Sequence, residues 1–224
     1  MYVGGVMQTN LVTISPDTSL VEAREIISEK RIAHLLVVDK REKLIGIVSD
    51  RDLKQNWASQ ATTLSSHELN YLLEKLTIKM IMVKKIITVS PATTIERAAH
   101  TMQTHRISSL PVMEDQKLVG IITTNDVMGV LLQAIGIDRE STRISILAED
   151  RIGYLAELAH TFKEHQINIR SVFSRPEKRF PGIYRFVFRV PAVDGEKAIL
   201  ALKKNGFKVF TEYHSDITPF LPGK

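Results

Sequence analysis

One stretch of this chain is written twice. Residues 6–53, VMQTNLVTISPDTSLVEAREIISEKRIAHLLVVDKREKLIGIVSDRDL, align throughout with residues 81–127, IMVKKIITVSPATTIERAAHTMQTHRISSLPVMEDQKLVGIITTNDV, once one residue is deleted from the second copy. Thr13, Ser15 and Pro16 return as Thr88, Ser90 and Pro91, and Gly46, Ile47 and Asp52 return as Gly120, Ile121 and Asp126. A duplication of this length constrains the fold more than any composition value. Each copy is one supersecondary unit, and the two must pack their sheets against each other to bury a core.

The pattern within a copy gives that unit an order. A short strand ends at Thr-x-Ser-Pro, where proline stops strand pairing and suits a turn. A helix follows, with an apolar face of Leu20, Ala23, Ile26 and Ile27 in the first copy and Ile95, Ala98, Ala99 and Met102 in the second. Ser19 with Glu22, and Thr93 with Glu96, have capping-box spacing at its start. Two strands come next, Leu35 to Val38 and Leu44 to Val48, matched by Leu110 to Met113 and Leu118 to Ile122, with a charged turn inside each pair. A last helix begins at Asp52 or Asp126. Between the copies, Ser65 and Glu68 cap a helix with Leu69, Leu72, Leu73 and Leu76 on one face, a packing or dimer helix.

Composition narrows the function classes. At 224 residues and 44% hydrophobic content, the chain can bury more than one small core. No apolar run approaches the 18 or so residues of a membrane span, and Met1 to Met7 lack the basic start and apolar centre of a secretory signal. The chain has no cysteine, which removes disulfides, thiol nucleophiles and Cys-ligated zinc and fits a cytoplasmic setting. Residues 1–140 carry 16 basic and 16 acidic side chains, so the net charge of +5 lies wholly in residues 141–224. Any nucleic-acid reading of the basic balance must rest on that C-terminal part.

The repeated Ser/Thr-x-x-Asp, in GIVSDRD and GIITTND, has two readings. It is the spacing of a capping box, which satisfies helix-terminal amides and binds nothing. Alternatively, a helix N-terminus suits phosphate, a short carboxylate beside it suits a ribose diol, and Gly46 and Gly120 let backbone come close. Two pseudo-symmetric copies would then place two such sites in clefts between the units. The copies differ: His34 and Arg51 of the first stand where the second has Ser109 and Asn125, and Pro111 replaces Leu36. Arg51 can pair with phosphate, so the two sites should differ in affinity. Arg31 and Arg106 are either ligand contacts or helix caps.

These residues carry a family resemblance. TISP and TVSP, RISSLPV, and GIVSDRDL with GIITTNDV resemble a pair of CBS domains, a Bateman module, and GIVSDRDL is similar to a stretch of the regulatory module of IMP dehydrogenase. The resemblance implies an adenine nucleotide (AMP, ADP or ATP) or a related adenosyl ligand such as S-adenosylmethionine, and a homodimer. It implies that Asp52 and Asp126 hold ribose hydroxyls, that Ser49 and Thr123 lie near phosphate, and that Thr13, Ser15, Thr88 and Ser90 line the base and sugar pocket. His34, Arg51 and Pro111 complete the candidate set.

The C-terminal part reads as a second module. A strand at Arg143 to Leu147, a helix bearing Leu155, Leu158, Ala159 and Phe162, strands at Ile169 to Phe173 and Tyr184 to Val190, a helix from Gly195 to Lys204 and a strand at Lys208 to Tyr213 make a βαββαβ order, the ferredoxin-like unit. EDRIGYLAELAHTF with HQINI resembles an ACT domain, which implies amino-acid contacts near Asp150, Gly153 and Asn168 at an interface between paired domains. Ile152 and Gln166 depart from that family's usual proline and glycine, and Ala148 stands where a serine-binding subgroup of it has histidine. An RNA-recognition motif shares the topology, but Ile183 and Arg189 stand where GIYRFVFRV would need glycine and an aromatic.

The expected fold is therefore α/β (α+β): a CBS domain over 1–60, a connecting helix over 61–80, a second CBS domain over 81–137, an ACT domain over 141–214 and a tail over 215–224. That order is similar to the acetoin-utilisation accessory proteins of the AcuB type. No catalytic motif or metal-ligand spacing is present, so no enzyme activity and no metal are expected. The expected role is a regulatory sensor acting on an enzyme partner the sequence does not name. An interaction protein with vestigial clefts is the alternative.

Overall fold

The computed structural model describes residues 1–57, 74–137 and 140–223. The expected capping pair Ser65 and Glu68, and Leu69, Leu72 and Leu73 of the connecting helix, lie outside the described residues. The chain forms two compact units, residues 1–128 and 129–224.

In the first unit, β1 (Thr13–Ile14), α1 (Leu20–Lys30), β2 (His34–Val38), β3 (Leu44–Ser49) and α2 (Asp50–Asn56) form the first copy. After the short α3 (Ile78–Ile81), the second copy continues with α4 (Ile95–His105), β4 (Ser109–Glu114), β5 (Lys117–Thr123) and α5 (Thr124–Ile135). β1 runs parallel to β2, and β2 is antiparallel to β3. β4 and β5 form the matching antiparallel pair, and Val89 bridges Val112 where β1 stands in the first copy.

The helix faces follow the sequence period. Leu20, Ala23 and Ile27 are buried on α1, and Ile95, Ala98 and Met102 on α4. Ser19 caps α1 as its spacing implies, accepting from the Glu22 amide. The second copy differs by one residue: Thr94, not Thr93, is the cap of α4 and accepts from the Arg97 amide, while Thr93 accepts from Ser90. Both helices end on an arginine in the left-handed region, Arg31 at φ 53° and Arg106 at φ 54°. Their backbones therefore close the helix C-termini.

The copies exchange their opening segments. Val3 and Gly4 donate to Thr93 and Pro91 carbonyls at 2.8 and 2.9 Å, and Ile95 donates to Met1 at 3.1 Å. The mirror image holds on the other side. Ile78 and Lys79 donate to Thr18 and Pro16 at 2.9 and 2.8 Å, and Leu20 donates to Leu76 at 3.0 Å. Gln8 then bridges Ile121 on the edge of β5, as Val83 bridges Ile47 on the edge of β3. Val3 and Ile78, both fully buried, anchor these segments in the neighbouring copy.

The second unit contains β6 (Ser141–Glu149), α6 (Tyr154–Glu164), β7 (Ser171–Pro176), β8 (Ile183–Pro191), α7 (Gly195–Lys204) and β9 (Val209–Phe210). Its sheet order is β7-β8-β6-β9, all antiparallel, the ferredoxin-like arrangement. One face carries the core: Ile144, Ile146, Phe186, Phe188 and Val190 meet Leu158, Phe162, Ala198 and Leu202 of the helices. The last strand is shorter than the pattern implies, two residues rather than six, and β7 starts at Ser171 rather than Ile169. Leu155, expected on the apolar face of α6, is exposed.

Candidate nucleotide site

The two Ser/Thr-x-x-Asp stretches fold alike. Each leaves a strand edge and starts a helix. Ser49 donates to Asp52 Oδ2 from its amide at 2.8 Å and from its hydroxyl at 2.6 Å, and its Oγ accepts from the Asp52 amide at 3.2 Å. Thr123 makes the same bonds to Asp126 Oδ2, at 2.8 and 2.6 Å, with 3.4 Å for the return bond. Both are capping boxes in geometry, and aspartate reaches back as well as glutamate does. A carboxylate has about four acceptor positions, so Oδ2 can cap the helix while the group still accepts elsewhere. Asp126 does so already: its Oδ1 accepts from Gln8 Nε2 at 3.1 Å.

Asp126 borders a cavity of about 510 Å³ between the copies. From the second copy come Ser108, Thr123, Thr124, Asn125 and Asp126; from the first come Arg31, His34 and the strand-leading residues Asn10 and Val12, with Gln8 at the edge. Arg31 is placed there by its left-handed cap, which turns the chain from α1 into β2. His34 opens β2 and lies 2.9 Å from Ser108 Oγ across the copies. Burial lowers the His34 pKa, and the nearby Asp52 charge pulls it back up. The cavity thus offers a capped carboxylate, a helix start, a guanidinium, an imidazole and three side-chain amides on apolar walls, a mixture that suits a nucleoside with an anionic group.

The other sequence candidates lie elsewhere. Thr13 and Ser15 are exposed and do not line this cavity; Ser15 accepts from the Asp17 amide. Thr88 and Ser90 line a second, more polar cavity of about 450 Å³ with Thr93, Arg97 and Thr101. Ser49, Arg51 and Asp52 stand at the start of α2, with Arg51 exposed and Asp52 half-buried. Pro111 is buried in β4 opposite Ile121. Gln8 and Ser108 escaped the sequence reading. Gln8 had a signal, because the copies align it with the apolar Val83.

Gly46 and Gly120 are explained without a ligand. A Cβ on Gly46 would lie 2.4 Å from Met82 Sδ, and one on Gly120 would lie 2.4 Å from Met7 Sδ. The close approach that the glycines permit is that of the exchanged segments.

In the second unit, Asp150 donates its amide to Gly182 at 2.9 Å, and Gly153, at φ 89°, is the N-cap of α6. Asn168 follows the far end of α6, a helix about 16 Å long at 1.5 Å per residue, so the three do not meet within one chain. Ile152, standing where the ACT pattern has proline, is fully exposed.

Comparison with known proteins agrees with this architecture. The CBS domain model matches residues 3–58 and 78–133, and the ACT domain model matches residues 142–205. A homoserine O-acetyltransferase of Methanohalobium evestigatum is 32% identical over 127 residues, and an inosine-5'-monophosphate dehydrogenase of Nitrosopumilus maritimus is 33% identical over 125. These matches take in 56% and 55% of this chain but 23% of each enzyme. Among solved structures, a Vibrio cholerae protein assigned as an acetoin utilization protein (AcuB) is 28% identical, with a TM-score of 0.50. That match covers 62% of this chain and 95% of the other. The chain belongs to the CBS-domain family, with a tandem CBS pair followed by an ACT domain.

Proposed function

We propose that the protein is a ligand-gated regulator whose CBS pair holds an adenine nucleotide or a related adenosyl ligand. One observation carries this reading. A single cavity sets the Asp126 carboxylate and the α5 start of one copy against Arg31 and His34 of the other. In it, Asp126 accepts from ribose hydroxyls, and the α5 amides and Arg31 face phosphate. Asn10 and Asn125 offer donors and acceptors to a base. Because the cavity wall comes from both copies, a ligand favours one packing of the copies over another, and that difference is what a regulator transmits.

Asp52 with Arg51 forms the equivalent but weaker position. Homodimerisation, an ACT domain serving that dimer or sensing an amino acid through Asp150, Gly153 and Asn168, and a link to acetoin metabolism belong to the same reading. The last is supported by the likeness to the Vibrio cholerae protein.

The second reading, an interaction protein with vestigial clefts, is favoured by the capping boxes. Both aspartates already have partners inside the chain. Thermal unfolding with AMP, ADP, ATP and S-adenosylmethionine, on the wild type and on Asp126→Ala and Asp52→Ala, separates them. The regulator reading expects stabilisation by at least one ligand, lost with Asp126→Ala. No stabilisation by any of the four favours the vestigial reading.

A further inference from the structure

Four of the 14 basic side chains of residues 141–224 share one sheet face. Strand alternation puts Arg143, Arg185 and Arg189 on the sheet face opposite the helices, because Ile144, Phe186, Phe188 and Val190 fill the helix side. Arg143 pairs with Arg189 across β6 and β8, and Arg175 pairs with Arg185 across β7 and β8. Four guanidiniums therefore share one face of three adjacent strands.

Among the described residues, a single carboxylate answers them. Glu177 Oε1 lies 2.7 Å from Arg185 Nε and 3.4 Å from an Arg175 nitrogen. Glu177 answers the buried Arg185 Nε through that close ion pair, whereas the buried Nε–H of Arg189 has no hydrogen-bond partner. The other contacts are hydroxyls: Arg143 donates to Ser145 and Arg189 to Ser141, both at 2.9 Å. The Arg143 pKa is lowered by burial and then by the charges of Arg185, Arg189 and Arg175.

The bland account is that these arginines lay their stems over the sheet, and part of it is true: Leu147 and Val187 are buried beneath them, and Arg185 stacks over Phe210 at 5.1 Å. Stems explain the packing but not the charge. Lysine-free clustering of planar donors, four guanidiniums to one carboxylate with the buried Arg189 N–H left over, lacks acceptors rather than apolar contact. Part of the face is also closed. Phe220 of the tail packs on Phe210 at 4.9 Å, and Ser171 donates to the Ile135 carbonyl at 2.5 Å beside Arg189.

We propose that Arg143, Arg175, Arg185 and Arg189 form an anion site on the open sheet face for a small ligand bearing at least two oxyanion groups, a phosphate ester or a di- or tricarboxylate. The ligand supplies the missing acceptors, bridging the Arg143–Arg189 rung and the Arg175–Arg185 rung. The partly closed face favours a small ligand over a polynucleotide. The site is distinct from Asp150 and Gly153, which lie in the loop before α6, and shares no residue with the cavity of the CBS pair.

The test uses the full chain with pyrophosphate, citrate and orthophosphate as probes, against sodium chloride at matched ionic strength. Thermal unfolding and calorimetric titration are both read. Pyrophosphate or citrate is expected to raise the melting temperature beyond the chloride control, the two arms distinguishing phosphate from carboxylate. Arg143→Gln or Arg189→Gln should weaken binding about tenfold or more, since each removes charge-assisted hydrogen bonds. The more exposed Arg175→Ala should weaken it in a variant whose folding is least at risk. Shifts no larger than those of chloride, or unchanged binding in a folded Arg143→Gln/Arg189→Gln chain, would overturn the proposal. Binding of a single-stranded oligonucleotide through these arginines, uncontested by pyrophosphate, would overturn it too.

Discussion

Substituting Gly120 tests whether the exchange of opening segments holds the CBS pair together. An added Cβ would lie 2.4 Å from Met7 Sδ and 3.3 Å from the Gln8 carbonyl oxygen, with the sulfur about an ångström inside ordinary contact. Methionine is flexible, so part of that overlap relaxes, but the Gln8 carbonyl is backbone and is bonded to the Ile121 amide at 3.0 Å. Overpacking of this kind costs about 1–3 kcal/mol. For a chain of this length that is a fall of roughly 2–4 °C in melting temperature per kcal/mol. Gly46→Ala should cost less, because all three nearest atoms belong to the Met82 side chain. The decisive form is a cycle of Gly120→Ala with Met7→Ala, read by urea unfolding of the full chain. Removing the Met7 side chain makes room for the Cβ, so the double variant should recover about 1 kcal/mol relative to the sum of the singles. Additivity within about 0.5 kcal/mol would mean that Met7 and Gly120 do not meet, and would return Gly120 to a ligand-approach role.

Other outcomes follow from single contacts. Val3 is fully buried in the second copy, so Val3→Ala should cost about 1.5–3 kcal/mol despite lying near the chain start, measured by urea unfolding. Gly195→Ala would set a Cβ 2.2 Å from Thr142 Oγ1 and 2.8 Å from its Cβ; threonine is stiff, so a loss of about 1–3 kcal/mol is expected from thermal unfolding. Arg24 lies 4.2 Å over the ring of Trp57, the only tryptophan. Arg24→Met should change its fluorescence and cost about 0.5–1 kcal/mol. Burial holds the His34 pKa below its ordinary 6.5, so the fold prefers the neutral ring. Its stabilisation is full above that value and declines as pH falls from 6.5 towards the folded pKa. His34→Gln should flatten the stability profile across that window.

Much of the fold was legible because the duplication checks itself. A helix face read once as Leu20, Ala23, Ile26 and Ile27 and again as Ile95, Ala98, Ala99 and Met102 is hard to misassign: Leu20, Ala23, Ile27, Ile95, Ala98 and Met102 are buried, and Ile26 and Ala99 sit half-buried at the edge of the face. Local rules failed where neighbours compete. Thr93 and Thr94 both have a hydroxyl, and Thr93 is drawn to Ser90, which leaves Thr94 as the cap. The exchange of segments was hidden, because nothing in Met1 to Gln8 says which copy it joins. The site was half legible. Asp126, Thr123 and His34 border one cavity, whereas Thr88 and Ser90, in the same motif as Asp126, border another. Motif spacing fixes which residues share a unit, not which of its surfaces they reach. The arginine face showed only as a charge surplus until strand register put its members side by side.

In the proposed function, the cavity holding Asp126 takes an adenosyl ligand. Isothermal titration of the full chain with AMP, ADP, ATP and S-adenosylmethionine, repeated with Asp126→Ala, tests it most directly. Loss of hydrogen bonds to a charged group is worth about 1.5–3 kcal/mol, so the variant should bind roughly 10- to 150-fold more weakly while unfolding cooperatively. An unchanged dissociation constant in that variant, or no heat from any of the four with the wild type, would contradict the account and leave Asp126 as a helix cap.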